Sequence, residues 1–298
     1  MLLLLATPAF AVWPEDVSLV AMDDYAGVST LPPGAGDDYV VVGYETLVKE
    51  LGVAIANKPM APAETLGVYG FHVGLANTFA FIRTGSTDGT NPTGWDLADP
   101  DEDPQTYLFI PQFQVRKGLP LSLELGANFG WIGMTRTGVF GGYGRWAPVE
   151  GYKRIPDLAL QIGYAGYLGN DELEVGVLDM SATLGYSLPF GVTEGINQAV
   201  FSPYLGIGVN RIHAAPRADL SRTNLEGRLG EVTGSKSQAK SDIEDTAEDE
   251  TVAFDKSYAP LTLAGGFRIL NGDFSATLSA GYSPGLIPTL NLGFGFVY

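Results

Sequence analysis

The chain has 298 residues, enough for one large β domain with an appendage or for two ordinary domains. A formal net charge of −17 excludes a nucleic-acid face, which needs clustered Lys and Arg, and the absence of cysteine excludes a disulfide framework and thiolate chemistry. Yet 45% of the residues are hydrophobic, and the two facts are compatible only if acidic groups sit in loops and apolar side chains sit on strand faces.

Residues 1–11 (MLLLLATPAFA) read as a secretory signal peptide that ends in the cleavage pattern Ala9-Phe10-Ala11 and lacks a basic n-region. The apolar run is too short to cross a bilayer as a helix, and no run of about twenty apolar residues occurs elsewhere. A membrane form of this chain must therefore be a closed barrel, since lipid cannot satisfy the borders of an open sheet. Residues 12–65 read as an N-terminal periplasmic or plug-like segment. Its first part (Leu31-Pro32-Pro33-Gly34, Asp37-Asp38) is irregular, and a helix is predicted near 43–57. Tyr44, Leu47, Val48, Leu51 and Ile55 form its apolar stripe, with Glu45, Lys49 and Glu50 off that stripe. Such a helix either plugs a lumen or caps one end of the barrel, and a single stripe favours the cap.

Residues 66–298 read as the barrel. Ten segments alternate with period two over the length a tilted spanning strand needs, about nine to eleven residues or more. They cover 67–82, 106–116, a third reached through a tight Lys117-Gly118 turn, 138–146, 156–168, 173–188, 201–212, 257–269, 274–282 and 288–298. Asn271-Gly272 is the strongest two-residue hairpin signal. The long connections 83–105 and 214–256 both fall on odd positions, as an even strand count with its C-terminus in the periplasm requires. Counts of eight or twelve strands also fit. The competing β-sandwich would have strands of about five to six residues with polar outer faces.

In the last segment, Leu290, Leu292, Phe294, Phe296 and Tyr298 share one face, while Thr289, Asn291, Gly293 and Gly295 share the other. This resembles the C-terminal signal strand of Gram-negative outer-membrane β-barrel proteins. The resemblance implies an all-β antiparallel transmembrane barrel in the outer membrane, in contact with its lipid and lipopolysaccharide and handled by the barrel-assembly machinery.

By the same alternation, His72, Gln112, Gln114, Arg116, Glu124, Arg145, Gln161, Asp179 and Arg268 project into the lumen, either as an ion-paired filling or as a polar pore lining. The many small inward residues leave room for a small-molecule ligand, water or the N-terminal helix. Asp99, Asp101 and Asp103 are weak calcium candidates that lack the glycine and distal glutamate of a calcium loop. Neither a catalytic motif nor a cofactor fingerprint appears, and neither histidine has a serine obviously beside it, so no enzyme and no cofactor is expected. The function reads as a narrow channel or carrier for a small solute, or alternatively as a non-transport structural or surface-interaction barrel. FadL-type transporters also precede their barrel with a plug, but their Asn-Pro-Ala plug motif is missing here.

Overall fold

The structure, a computed structural model, describes residues 17–19, 36–85, 93–98, 106–133, 135–152, 155–190, 199–216 and 256–298. Its strands are β1 (Phe71–Ala80), β2 (Leu108–Leu119), β3 (Leu123–Trp131), β4 (Gly138–Val149), β5 (Asp157–Leu168), β6 (Leu173–Gly185), β7 (Leu188–Phe190), β8 (Ala199–Pro216), β9 (Lys256–Tyr258), β10 (Leu261–Asn271), β11 (Phe274–Tyr282) and β12 (Pro288–Val297). Ten of them form one antiparallel ring: β1 to β6 in order, then β8, β10, β11 and β12. The seam closes between β12 and β1, with Phe79 opposite Leu290 and His72 opposite Val297. Phe71 and Tyr298 exchange both backbone hydrogen bonds there at 2.8 Å. β7 and β9 are three-residue additions on the two ends of β8. The expected closed barrel of ten strands is what the chain forms.

The alternation that predicts these strands divides two solvents. Along β5, outward Leu160, Ile162 and Tyr164 are exposed while Ala159, Gln161, Gly163 and Ala165, which alternate with them, are buried. The same inversion recurs at Leu75, Phe113, Phe129 and Leu205, all large, apolar and on the outside. So much contiguous exposed apolar surface belongs against lipid rather than water. Aromatic belts rim it. Phe81, Tyr107, Trp131, Phe140 and Tyr282 lie outward at one end, and Tyr69, Phe71, Trp146, Phe274 and Phe296 at the other. Neighbouring strands knit these belts together: Phe79 stacks on Phe109 at 5.1 Å, and Phe274 meets Phe296 edge-on at 5.9 Å. The ten residues of β1, at about 3.3 Å each and tilted by about 40°, span about 25 Å, the height of the apolar band of such barrels. A lysine at Ile162, mid-β5, is therefore expected to lower unfolding stability in lipid vesicles by about 2–4 kcal/mol. An unchanged urea midpoint would place this face away from acyl chains.

Connections sort by end. Residues 120–122, 150–156, 186–198 and 272–273 join strands at what we term the turn end. Residues 81–107, 132–137, 169–172, 217–260 and 283–287 join them at the loop end. Several boundaries differ from the sequence expectation. Lys117 and Gly118 remain in β2, opposite Leu125 and Glu124, and the turn is Pro120-Leu121-Ser122. There, Leu121 (φ 65°) and Ser122 (φ 54°) take the left-handed conformation without any glycine. Gly118 is needed for packing instead, because a Cβ on it would lie 1.8 Å from the Gly67 carbonyl oxygen. The predicted strand 257–269 is broken at Ala259-Pro260 into β9 and β10, since proline cannot donate to a ladder. The predicted strand 173–188 ends at Gly185, and Leu188 begins β7.

Candidate functional site

The lumen is occupied by the chain itself. Helix α1 (Gly36–Ile55) begins ahead of the predicted boundary. Asp37 and Asp38, read from sequence as irregular, fall in its first turn. α1 sits in the loop-end mouth. Its stripe Tyr44, Leu47, Val48, Leu51 and Ile55 is buried with Ile110, Val139, Ile212 and Ile287 of the barrel rim. Gly52 lies against Ile212 so closely that a Cβ would be 2.6 Å from its side chain. A second short helix, α2 (Gly94–Ala98) of the first long connection, crosses α1 where Gly94 meets the Gly43 carbonyl.

Asp96 in that connection accepts from the Thr93 backbone N–H at 2.5 Å and the Thr93 hydroxyl at 2.7 Å, which is the carboxylate half of a capping box at the start of α2. Asp99, Asp101 and Asp103 lie outside the described residues. Glu50, expected on the solvent side of α1, is instead fully buried. It accepts from Trp95 Nε1 at 2.8 Å and pairs with Arg83 at 3.5 Å. Burial pushes the Glu50 carboxyl above the usual carboxylate range, against the opposing pull of Trp95 and Arg83.

Lys58 ends α1 by donating to the carbonyls of Ala54 and Ala56. From there, residues 56–66, neither helical nor strand and bent at Ala56, Ala61 and Ala63, descend the bore to the turn end, then turn through residues 67–70 into β1. The contacts follow the sequence in order. Asn57 donates to Asp179 at 2.7 Å and accepts from Asn128 at 3.1 Å. The Met60 sulfur accepts from Gln114 at 3.5 Å. Arg145 donates to the Ala61 carbonyl at 3.0 Å and also to that of Pro62. Glu64 pairs with Arg268 and accepts from Ser187 at 2.7 Å. Thr65 meets Glu150 at 2.6 Å, at the turn end.

Inward glycines make the room. A Cβ on Gly141 would strike the Asn57 amide oxygen at 2.4 Å, and one on Gly163 its amide nitrogen at 2.7 Å. Gly206, Gly293 and Gly185 lie similarly beneath Pro59, Met60 and Ala63. Among the described residues, spaces of about 20 Å³ each lie beside residues 57–61 on two sides, each about enough for one water.

The residues assigned to the lumen from alternation line this passage. His72, Gln112, Arg116, Glu124, Arg145, Gln161, Asp179 and Arg268 are buried, and Gln114 is half-buried. They fall into two groups. Gln112, Asn128 and Asp179 surround Asn57, with Gln112 accepting from Asn128 at 3.5 Å. Nearer the turn end, Glu124 stands between Arg116, 3.5 Å away, and Arg145, its direct opposite on β4, with Gln161 next to Arg145 on β5. Arg268 lies within electrostatic reach of both arginines. Three wall arginines thus face one wall carboxylate, and a second anion, Glu64, comes from the threaded segment. Sequence reasoning missed Asn57 and Glu64. The surplus of predicted inward arginine in this layer was the available signal.

His72 rests on Gly74 and Gly295, and its Nε2 lies 3.3 Å from the Ser275 hydroxyl. Only strand register makes that pair. Its charged neighbours are Arg116 and Arg268, the opposite of the carboxylate that orients a catalytic histidine. At the seam, Leu290, Leu292, Phe294 and Phe296 line the outward face of β12, and Tyr298 follows the strand with its side chain exposed.

A closed antiparallel ring, apolar outside between two aromatic belts and polar within, defines an outer-membrane β-barrel, here of ten strands. No protein-family model matches the sequence, and comparison with curated proteins returns no match. Among solved structures the chain is similar to Ail, the attachment invasion locus protein of Yersinia pestis, at 11% identity over 78% of this chain and 99% of that one, with a TM-score of 0.25. It is similar to Neisserial surface protein A at 12% identity over 76% and 95%, with a TM-score of 0.27. The outer membrane protein Omp33 of Acinetobacter baumannii gives 10% identity over 77% and 98%, with a TM-score of 0.27. Likenesses this distant transfer no residue and no activity, and the class follows from the chain's own geometry.

Proposed function

We propose that the protein is a self-plugged outer-membrane barrel serving as a structural or surface-interaction element of the envelope rather than a standing solute channel. In this reading the loop end faces outward, and the seam end, with Phe71 and Tyr298, faces the periplasm. The observation that carries it is the burial of α1 in the loop-end mouth and the bonding of Asn57, Met60, Ala61, Pro62, Glu64 and Thr65 to successive parts of the wall, with spaces of about 20 Å³ beside residues 57–61 among the described residues. A barrel of eight strands is filled by its own side chains. Ten strands enclose more, and here a length of main chain takes up the difference. Mouth closure by α1 rests on apolar burial, which does not weaken with salt. No catalytic role is assigned to the His72–Ser275 pair, whose charged neighbours among the described residues are Arg116 and Arg268.

Full-length protein inserted in a planar bilayer is expected to conduct no more than lipid alone across physiological voltages. Discrete openings of the unmodified chain would overturn the proposal. They would favour the second reading, a narrow channel or carrier from which residues 56–66 withdraw to admit a small solute.

A further inference from the structure

We propose that the bore is the conduit through which this chain's own amino-terminal part crosses the membrane, and that residues 56–66 are the tether left in it. The inference rests on the outward orientation of the loop end given above. Two separate pieces that precede the tether both lie at the loop end. One is α1, in the mouth. The other is residues 17–19, where Leu19 N–H donates to Glu172 at 2.6 Å and Val17 accepts from Asn170 at 2.9 Å, both on the loop-end turn 169–172. Everything that follows the tether begins at the turn end, where Phe71 opens β1. The path between is single and monotonic, since Asn57, Met60, Pro62, Glu64 and Thr65 meet successive levels of the wall without doubling back.

The wall is shaped for a non-helical chain rather than for a helix. Its inward glycines lie directly beneath residues 57–63. An α-helix with side chains is about 10–12 Å wide in every direction, whereas a non-helical strand-like chain is about 5 Å thick across its hydrogen-bonding edge and about 10 Å only across its side chains. The segment therefore passes as non-helical chain, and α1 forms only where its residues reach the loop-end mouth. Once folded, α1 is a stop. Drawing it back would pull Leu47, Val48, Leu51 and Ile55 out of the rim core and unwind a 20-residue helix. Glu64, at the other end of the tether, holds to Arg268 within the wall.

The chain's lack of cysteine makes direct mapping simple. Single-cysteine full-length variants would be placed in the membranes of intact Gram-negative cells and treated with a membrane-impermeant maleimide. Val42→Cys reports α1, Pro284→Cys the loop-end barrel turn and Asp273→Cys the turn end, all at exposed positions. The expected result is that Val42→Cys and Pro284→Cys label on intact cells, while Asp273→Cys labels only after the outer membrane is permeabilised. If Pro284→Cys labels on intact cells but Val42→Cys waits for permeabilisation, the passage is refuted and the orientation stands. If Asp273→Cys alone labels on intact cells, the orientation is wrong and the direction of passage falls with it.

Discussion

Replacing Glu64 with alanine is expected to loosen the tether and destabilise the protein by about 3–5 kcal/mol, the effect of leaving a buried charge without its partner. Arg268 is buried, its guanidinium is held by Glu64, and its other charged neighbours include Arg116 and Arg145. Without Glu64, three arginines share the Glu124 carboxylate in a place water hardly reaches. The variant is expected to unfold at lower urea in lipid vesicles and to show conductance in planar bilayers where the parent is silent. Glu64→Gln keeps one acceptor oxygen, for Ser187 or for Ser202 but not at both present positions, and should lose less. The double variant Glu64→Met with Arg268→Met should recover much of the loss, since an apolar pair of similar volume replaces a buried ion pair at little expense. A Glu64→Ala protein that keeps both the parental urea midpoint and the silent bilayer would show that the tether does not supply the anion for this layer.

Valine at Gly163 is expected to displace Asn57 from the wall. Its Cβ would lie 2.7 Å from the Asn57 amide nitrogen and 2.8 Å from both Asp179 carboxylate oxygens, on the site of their hydrogen bond. Overpacking of this kind is worth about 1–3 kcal/mol, and stranding the Asp179 carboxylate adds about 1–3 kcal/mol. Hydrogen exchange should show residues 56–66 losing protection while the barrel strands keep theirs. Gly166→Val is the control. Gly166 is on the same strand but turned outward, with only the Tyr164 ring near at 3.8 Å, and it should leave exchange in the tether unchanged. Equal loss from both variants would mean that β5 as a whole, rather than the track beneath Asn57, had been disturbed.

Strand positions were legible because a barrel wall between lipid and lumen imposes one rule at every second residue. The rule leaves Leu160-Gln161-Ile162 or Phe294-Gly295-Phe296 readable from the chain alone. Where that rule met a local exception, the reading slipped. Leu121 and Ser122 turn the chain at positive φ without glycine, and Pro260 ends a ladder inside an otherwise alternating run. Glu50 looked solvated because helical spacing describes one stripe. α1 is also covered by Trp95, which comes from a distant loop.

The sequence by itself determined the wall: the strands, the face each side chain takes, and the aromatic strand that meets β1. That much depends on neighbours within a strand and on which solvent each face meets, both of which are written in local order. Only the tertiary structure decided what fills the wall. The tether has no period to read, and its partners lie 85 residues away at Glu150, 122 at Asp179 and 204 at Arg268. The small inward residues and the surplus arginines gain their meaning only when ring closure brings ten strands around one non-helical stretch of the same chain.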